Sequence, residues 1–196
     1  MNRLQRRMRD AGERGQSLVE MALILPLLLL IVLGTLEFGF ALDHHLTLEY
    51  ASREGARTGA SLSNGDGDVT VCDTIDDQIV AAVQRVLRSP GSDVDISQVP
   101  EIRIFKAGAS GQELGPVNRW TYSPGAGPLV DGARLDFVEA SVGWAPCARV
   151  SDPVPDSIGV SLSYTYHFRT PLTSLMSMVS VPMSDRTVMA LSPTDF

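Results

Sequence analysis

Four groups of residues carry side chains capable of chemistry. The first is a pair of acids, Glu20 and Glu37. Glu20 lies five residues after Gly15, inside the opening turns of the apolar run RGQSLVEMALILPLLLL (Arg14–Leu30). A carboxylate at a helix start is favoured by the unpaired backbone donors there, by about 0.3–1 kcal/mol. Ion pairing is the other chemistry open to it. If the chain is cut after Gly15, Gln16 becomes an N-terminus with a positive amine, which Glu20 of a neighbouring subunit can neutralise. In apolar surroundings such a pair counts for more than at a wet surface. Glu37, between Leu36 and Phe38, lies about 25 Å further along a helix. It can pair with a partner helix or reach out to the polar interface.

The second group, Asp43-His44-His45, places a carboxylate beside two imidazoles, the ligand types of a hydrolytic metal site. Without further clusters of such residues, the triplet reads as interfacial polar residues. In the third group, Asn64, Asp66 and Asp68 alternate like the opening of a calcium loop. Val69 replaces the glycine due at its sixth position and Ile75 the glutamate due at its twelfth, so a solvated turn is the better reading. The fourth group is Cys72 and Cys147. An even count in an oxidising compartment suggests one disulfide, closing a loop of about 75 residues. Two buried free thiols are the alternative; a metal site lacks the C-x-x-C spacing. The chain has three His and no G-x-S-x-G, H-E-x-x-H or phosphate-loop motif. With no convincing base–nucleophile arrangement, the chain is not expected to be an enzyme or to need a cofactor.

The elements that position these groups follow from charge and hydropathy. The 196 residues carry a formal charge of −7. Residues 1–15 hold Arg3, Arg6, Arg7, Arg9 and Arg14 against Asp10 and Glu13, so this head is basic and the remainder strongly acidic. No basic stripe beyond Arg14 is long enough to track phosphates, which argues against nucleic acid. Between Met21 and Leu36 no residue is charged. An apolar segment over 17–42 is about 39 Å long as a helix, more than a hydrocarbon core of roughly 30 Å. Phe38, Gly39, Phe40, Ala41, Leu42 and Asp43 follow, a poor match to a secretory cleavage site. The arginines set the N-terminus in the cytoplasm and the acidic bulk outside. Residues 1–15 are then a cytoplasmic basic leader, 16–61 a long helix, and 62–196 an extracytoplasmic domain.

The helix is expected to continue past the membrane to Ser61, with Leu46, Tyr50 or Ala51, Gly55 and Gly59 on one face. Ala51, Gly55 and Gly59 form a ridge of small residues, with Ser52, Ala56 and Ala60 beside it, suited to close helix packing. Glu49–Arg53 and Glu54–Arg57 are spaced as surface ion pairs. Pro26 removes a backbone donor within the apolar run and bends the helix there, with a hinge as the functional alternative. A second helix is expected over about Thr74–Arg88, capped by Asp73, with Ile75, Ile79, Val83 and Val86 buried. Val160, Leu162, Tyr164, Tyr166 and Phe168 alternate with polar residues, the clearest strand signal. Val138, Ala140, Val142 and Trp144 alternate likewise; 102–106 and 187–191 are weaker strands. Leu172, Leu175, Met176 and Val179 suggest a short helical turn, and Tyr122–Gly132 a flexible loop. The class is α+β, with a mostly antiparallel sheet covered on one face.

RGQSLVEMALILPLLLLIVLGTLEFG, followed by ASREGARTGA, resembles the TadE-like (TadE/TadG) pseudopilins of Tad, or Flp-type, pilus systems. The resemblance is dense over Arg14–Ala60. It recurs weakly in GVSLSYTYHFRTPLTSL, where such proteins carry a strand leading into a Thr-Pro-Leu turn. Met21 stands where the family more often has an aromatic residue. The resemblance implies a minor pilin or pilus-assembly component in the bacterial cytoplasmic membrane, cut after Gly15 by a prepilin peptidase. Its partners would be other pilins, pseudopilins and the Tad assembly machinery. Two other readings remain: an uncut single-pass scaffold of an envelope secretion complex, and a tethered extracytoplasmic binding module.

Overall fold

The computed structural model describes residues 2–65, 68–171 and 180–193. The chain divides into two compact units, Met1–Phe40 with Phe168–Val179, and Ala41–His167 with Ser180–Phe196.

In the first unit residues 2–40 are rich in leucine, a good helix former, and their backbone is helical. It belongs to α1 (Asn2–Leu62), which starts well before the expected residue 16 and runs through Pro26. Pro26 has no N–H to offer, so the carbonyl one turn earlier, on Ala22, loses its usual partner. The apolar side chains from Leu18 to Ile31 are exposed, Leu23 by 73%. The segment is long and apolar enough to cross a membrane.

In the second unit the remainder of α1 buries His44, Leu48, Ala51, Ser52, Gly55, Ala56, Gly59 and Ala60. These recur every three or four residues, so they form one stripe. Leu46 and Tyr50 lie off it and are exposed, contrary to the expected face. Glu49–Arg53 and Glu54–Arg57 pair on the outer surface. The helix ends at Ser63, whose φ of 51° is left-handed. The Ser63 hydroxyl donates to the Ser192 carbonyl at 2.6 Å.

Two shorter helices follow, α2 (Val69–Cys72) and α3 (Ile75–Leu87). Asp68 caps α2 by accepting from the Thr70 N–H. Thr74, not Asp73, occupies the N-cap position of α3, because Asp73 terminates α2. Ile75, Ile79, Val80, Val83 and Leu87 of α3 are buried, whereas Val86 is only half-buried.

The strands are β1 (Glu101–Ala107), β2 (Glu113–Tyr122), β3 (Leu129–Val130), β4 (Ala133–Arg134), β5 (Phe137–Ser141), β6 (Ser157–His167) and β7 (Ser180–Ala190). Five form an antiparallel sheet in the order β5-β2-β1-β6-β7, and β3 pairs with β4 in a small ribbon. In β6, Val160, Leu162, Tyr164 and Tyr166 are buried as expected, with Ile158 added. The opposite face carries ion pairs, Arg103–Glu113 at 2.7 Å and Arg119–Glu101 at 2.9 Å.

α1 and α3 cover the apolar face, and the glycines of α1 mark where they meet the sheet. A Cβ at Gly55 would lie 2.6 Å from Val83 Cγ2 and 3.2 Å from Val160 Cγ1. One at Gly59 would lie 2.7 Å from Ile158 Cδ1 and 2.9 Å from Ile79 Cδ1. The absence of a Cβ lets three elements converge, which offsets the cost of about 1 kcal/mol for glycine in a helix.

Two strand expectations are corrected, and one further strand is added. In β5, Ala140 and Val142 are exposed and Phe137 is buried instead, with Trp144 buried beyond the strand end. β5 is an edge strand, shifted in register against β2 between Arg119 and Trp120. Beyond Ser141 the Gly143 and Trp144 N–H groups donate to Asn118 Oδ1, at 2.8 and 2.7 Å, and so leave the ladder. β2 was not foreseen: Gly115, at φ 70°, and Pro116 interrupt its alternation. β7 starts at Ser180 rather than Thr187. The helical turn expected at Leu172–Val179 lies outside the described residues.

Candidate functional site

At the head of the apolar segment, residues 15–21 are exposed, and the Gln16 side-chain amide donates to Glu20 Oε1 at 3.1 Å. A Cβ at Gly15 would meet nothing within 4 Å. Gly15 and Glu20 are both exposed.

At the other end of the segment, Glu37 is only 4% exposed. Its Oε1 accepts from the Arg169 N–H at 2.9 Å, and its Oε2 from the Thr170 N–H at 2.8 Å. The Arg169 guanidinium lies 5.7 Å from the Phe40 ring centre. Both carboxylate oxygens are therefore engaged within the chain. Sequence reasoning did not foresee Arg169 and Thr170 as partners, because backbone donors leave no residue-type signal.

The Cys72–Cys147 disulfide joins α2 to the short turn Pro146–Ala148, with the Cα atoms 5.1 Å apart. Asp73 lies beside it, but sulfurs bonded to each other offer no thiolate to a metal. Next to the disulfide is a buried polar cluster that the sequence did not reveal. Asp76, in the first turn of α3, accepts from Arg149 Nη2 at 2.5 Å and from Asn118 Nδ2 at 2.6 Å. The Arg149 side chain is fully buried, its guanidinium 4.8 Å from the Trp144 ring centre. Burial and then the Asp76 charge push the Asp77 carboxyl above its usual range. Burial, followed by Asp76 and Asp77, does the same to Glu139.

Of the calcium-like residues, Asp66 lies outside the described residues and Asn64 is half-buried. Asp68 accepts from the Thr70 hydroxyl at 2.6 Å and its N–H at 2.8 Å, which holds its carboxyl below the usual range. His44 is not an interfacial residue: it is buried, with Nδ1 2.9 Å from Tyr164 Oη and its ring edge-on to Tyr166. Asp43 and His45 are exposed.

The apolar side chains from Leu18 to Ile31 are exposed, and the later part of α1 is packed in an antiparallel α+β unit. Residues 15–57 match the family model described as TadE-like protein, and the chain carries a TadE-like domain over that segment. This is a pilin-type structural family associated with Tad pili, and the apolar helix accords with a transmembrane anchor. No curated protein and no solved structure matches the chain.

Proposed function

We propose that the chain is a pseudopilin or minor pilin that takes part in assembling a Tad-type pilus. It is held in the bacterial cytoplasmic membrane by residues 17–42, with 1–15 in the cytoplasm and 62–196 outside. The observation that carries this reading is the TadE-like match over 15–57, falling on a helix whose apolar surface is uncovered in the single chain. Burying that surface against other such helices in a filament, or against lipid before assembly, removes it from water at about 25 cal/mol per Å².

In this reading a prepilin peptidase cuts after Gly15. Glu20 then changes partner, from the Gln16 side chain of its own helix to the new amine of a neighbouring subunit. Its exposure and its place one turn after Gln16 support the exchange. Mass spectrometry of membrane and sheared surface fractions tests the proposal. Gln16 is expected as the first residue of the mature form, and Glu20→Ala is expected to cut the number of surface appendages sharply. An intact N-terminus in every fraction, with normal appendages in the variant, refutes it and favours an uncut scaffold.

A further inference from the structure

The face of the five-stranded sheet turned away from α1 and α3 carries a groove of about 520 Å³. Ser161, Ser163, Ser184 and Arg186 line it on β6 and β7, and Glu101 and Glu113 on β1 and β2. We propose that this groove binds an acidic saccharide, a sugar chain bearing carboxylates and free hydroxyls, with Arg186 holding a carboxylate. The site lies wholly within the second unit and stands apart from the pilus reading.

Strand register builds the site. Arg103 of β1 lies opposite Ser161 of β6, which in turn lies opposite Arg186 of β7. One step along the same face, Ser163 lies opposite Ser184. Residues paired in this way share a face, with Cβ atoms about 4.5–5.5 Å apart. Three hydroxyls and two guanidinium groups are therefore set side by side. Among the described residues, none of the three hydroxyls has a hydrogen-bond partner.

Charge then separates the arginines. Arg103 pairs with Glu113 at 2.7 Å and Arg119 with Glu101 at 2.9 Å, so these four charges cancel. Arg186 is exposed and has no carboxylate partner among the described residues. The neighbouring Asp185 accepts from the Ser52 hydroxyl on the helix side of the sheet, so its carboxylate points away from Arg186.

The ligand follows from that balance. A free guanidinium takes the paired oxygens of a carboxylate or a phosphate in its planar fork. Glu101 and Glu113 border the same groove, and their charge repels a doubly ionised phosphate more than a single carboxylate. Each keeps an oxygen outside its ion pairs that can accept from a hydroxyl. The serines both donate and accept. A ligand with one negative charge per unit and several hydroxyls satisfies all of these groups. An acidic peptide satisfies only the guanidinium, because extended backbone adds to a sheet edge and not to its face.

Isothermal titration calorimetry of the full chain in detergent, in buffer free of divalent cations, tests this with a short oligogalacturonate as the probe. The wild-type chain is expected to bind it, and Arg186→Gln to weaken binding roughly tenfold or more, the scale of a charged hydrogen bond. Arg186→Lys keeps the charge but not the fork and is expected to fall between the two. Ser184→Ala is expected to weaken binding at an unchanged melting midpoint. Arg53→Gln, on the outer surface of α1, is the charge control and is expected to bind as the wild type does. A neutral maltooligosaccharide, an oligoglutamate and inorganic phosphate are each expected to bind more weakly than oligogalacturonate.

No binding of oligogalacturonate by the wild type, equal binding by Arg186→Gln, or equal loss in Arg53→Gln overturns the inference. Oligoglutamate or phosphate bound as tightly also overturns it, by making the groove a plain anion site. Maltooligosaccharide bound as tightly does so by removing Arg186 from recognition. If Arg186→Gln does not fold, Ser184→Ala still decides: binding equal to the wild type counts against the groove.

Discussion

Asp76 and Asp77 are neighbours in the first turn of α3 with opposite circumstances. Asp76 has the Arg149 guanidinium, whereas Asp77 has burial and the charge of Asp76 against it. The folded state therefore holds the Asp77 proton more tightly than the unfolded chain, and Glu139 behaves in the same way. Between the ordinary and the raised pKa the native state binds more protons, so stability falls as pH rises through that window. Chemical unfolding followed from about pH 4 to about pH 7 is expected to show this fall, and Asp77→Asn to make it shallower. A steeper fall in the variant would contradict the assignment. Glu54 acts in the opposite sense: Arg57 lowers its pKa, so its contribution is present at neutral pH and is lost as pH drops through the lowered value.

These residues also show what a sequence exposes and what it hides. Glu49–Arg53 and Glu54–Arg57 were legible, because helical geometry alone brings (i, i+4) and (i, i+3) side chains together. The Asp76–Arg149 pair was not, since 73 residues separate the partners and only the packing of α3 near the turn after β5 joins them. Glu37 stood out as an acid in an apolar setting, yet its donors are main-chain groups that any residue type could supply.

At the level of elements, the junction of α1, α3 and β6 is where volume is most tightly set. Gly55→Leu would drive side-chain atoms into Val83 and Val160, and overpacking of this kind costs about 1–3 kcal/mol. Gly34→Leu is the matched control, because a Cβ there meets nothing within 4 Å. Thermal melts of the full chain in detergent are expected to show a lower midpoint for Gly55→Leu and no loss for Gly34→Leu. Equal melting of the two would mean that the glycines of α1 are not packing residues. The same contrast explains how the elements read in advance. β6 has one buried and one wet face, so its alternation is clean. β5 lies at an edge, shifts register and leaves the ladder at Asn118, so its apolar residues do not report a single face.

For the molecule as a whole, the decisive covalent constraint is the disulfide, with 75 residues of sequence separation. On the chain-entropy model, removing a closure of that size costs about 4 kcal/mol, chiefly by freeing the unfolded ensemble. Cys72→Ser combined with Cys147→Ser is expected to lower the unfolding midpoint, and reductant to bring the wild-type chain toward the variant. Identical midpoints with and without reductant would remove the disulfide from the list of stabilising features. At this scale the sequence was most informative, because the basic head, the apolar run and the paired cysteines depend on composition and order rather than on packing. The path of the chain through the sheet was not written there.

One part of that path sets an order of events. The Ser52 hydroxyl meets Asp185 and, at 2.8 Å, Thr187 on β7, while the Ser192 N–H donates to the Ala60 carbonyl at 2.8 Å. The later part of α1 can therefore complete its packing on the sheet only once the chain has been made through at least Ser192. Until then the stripe from Leu48 to Ala60 waits uncovered, open to proteolysis, for a partner strand that is the last to be made.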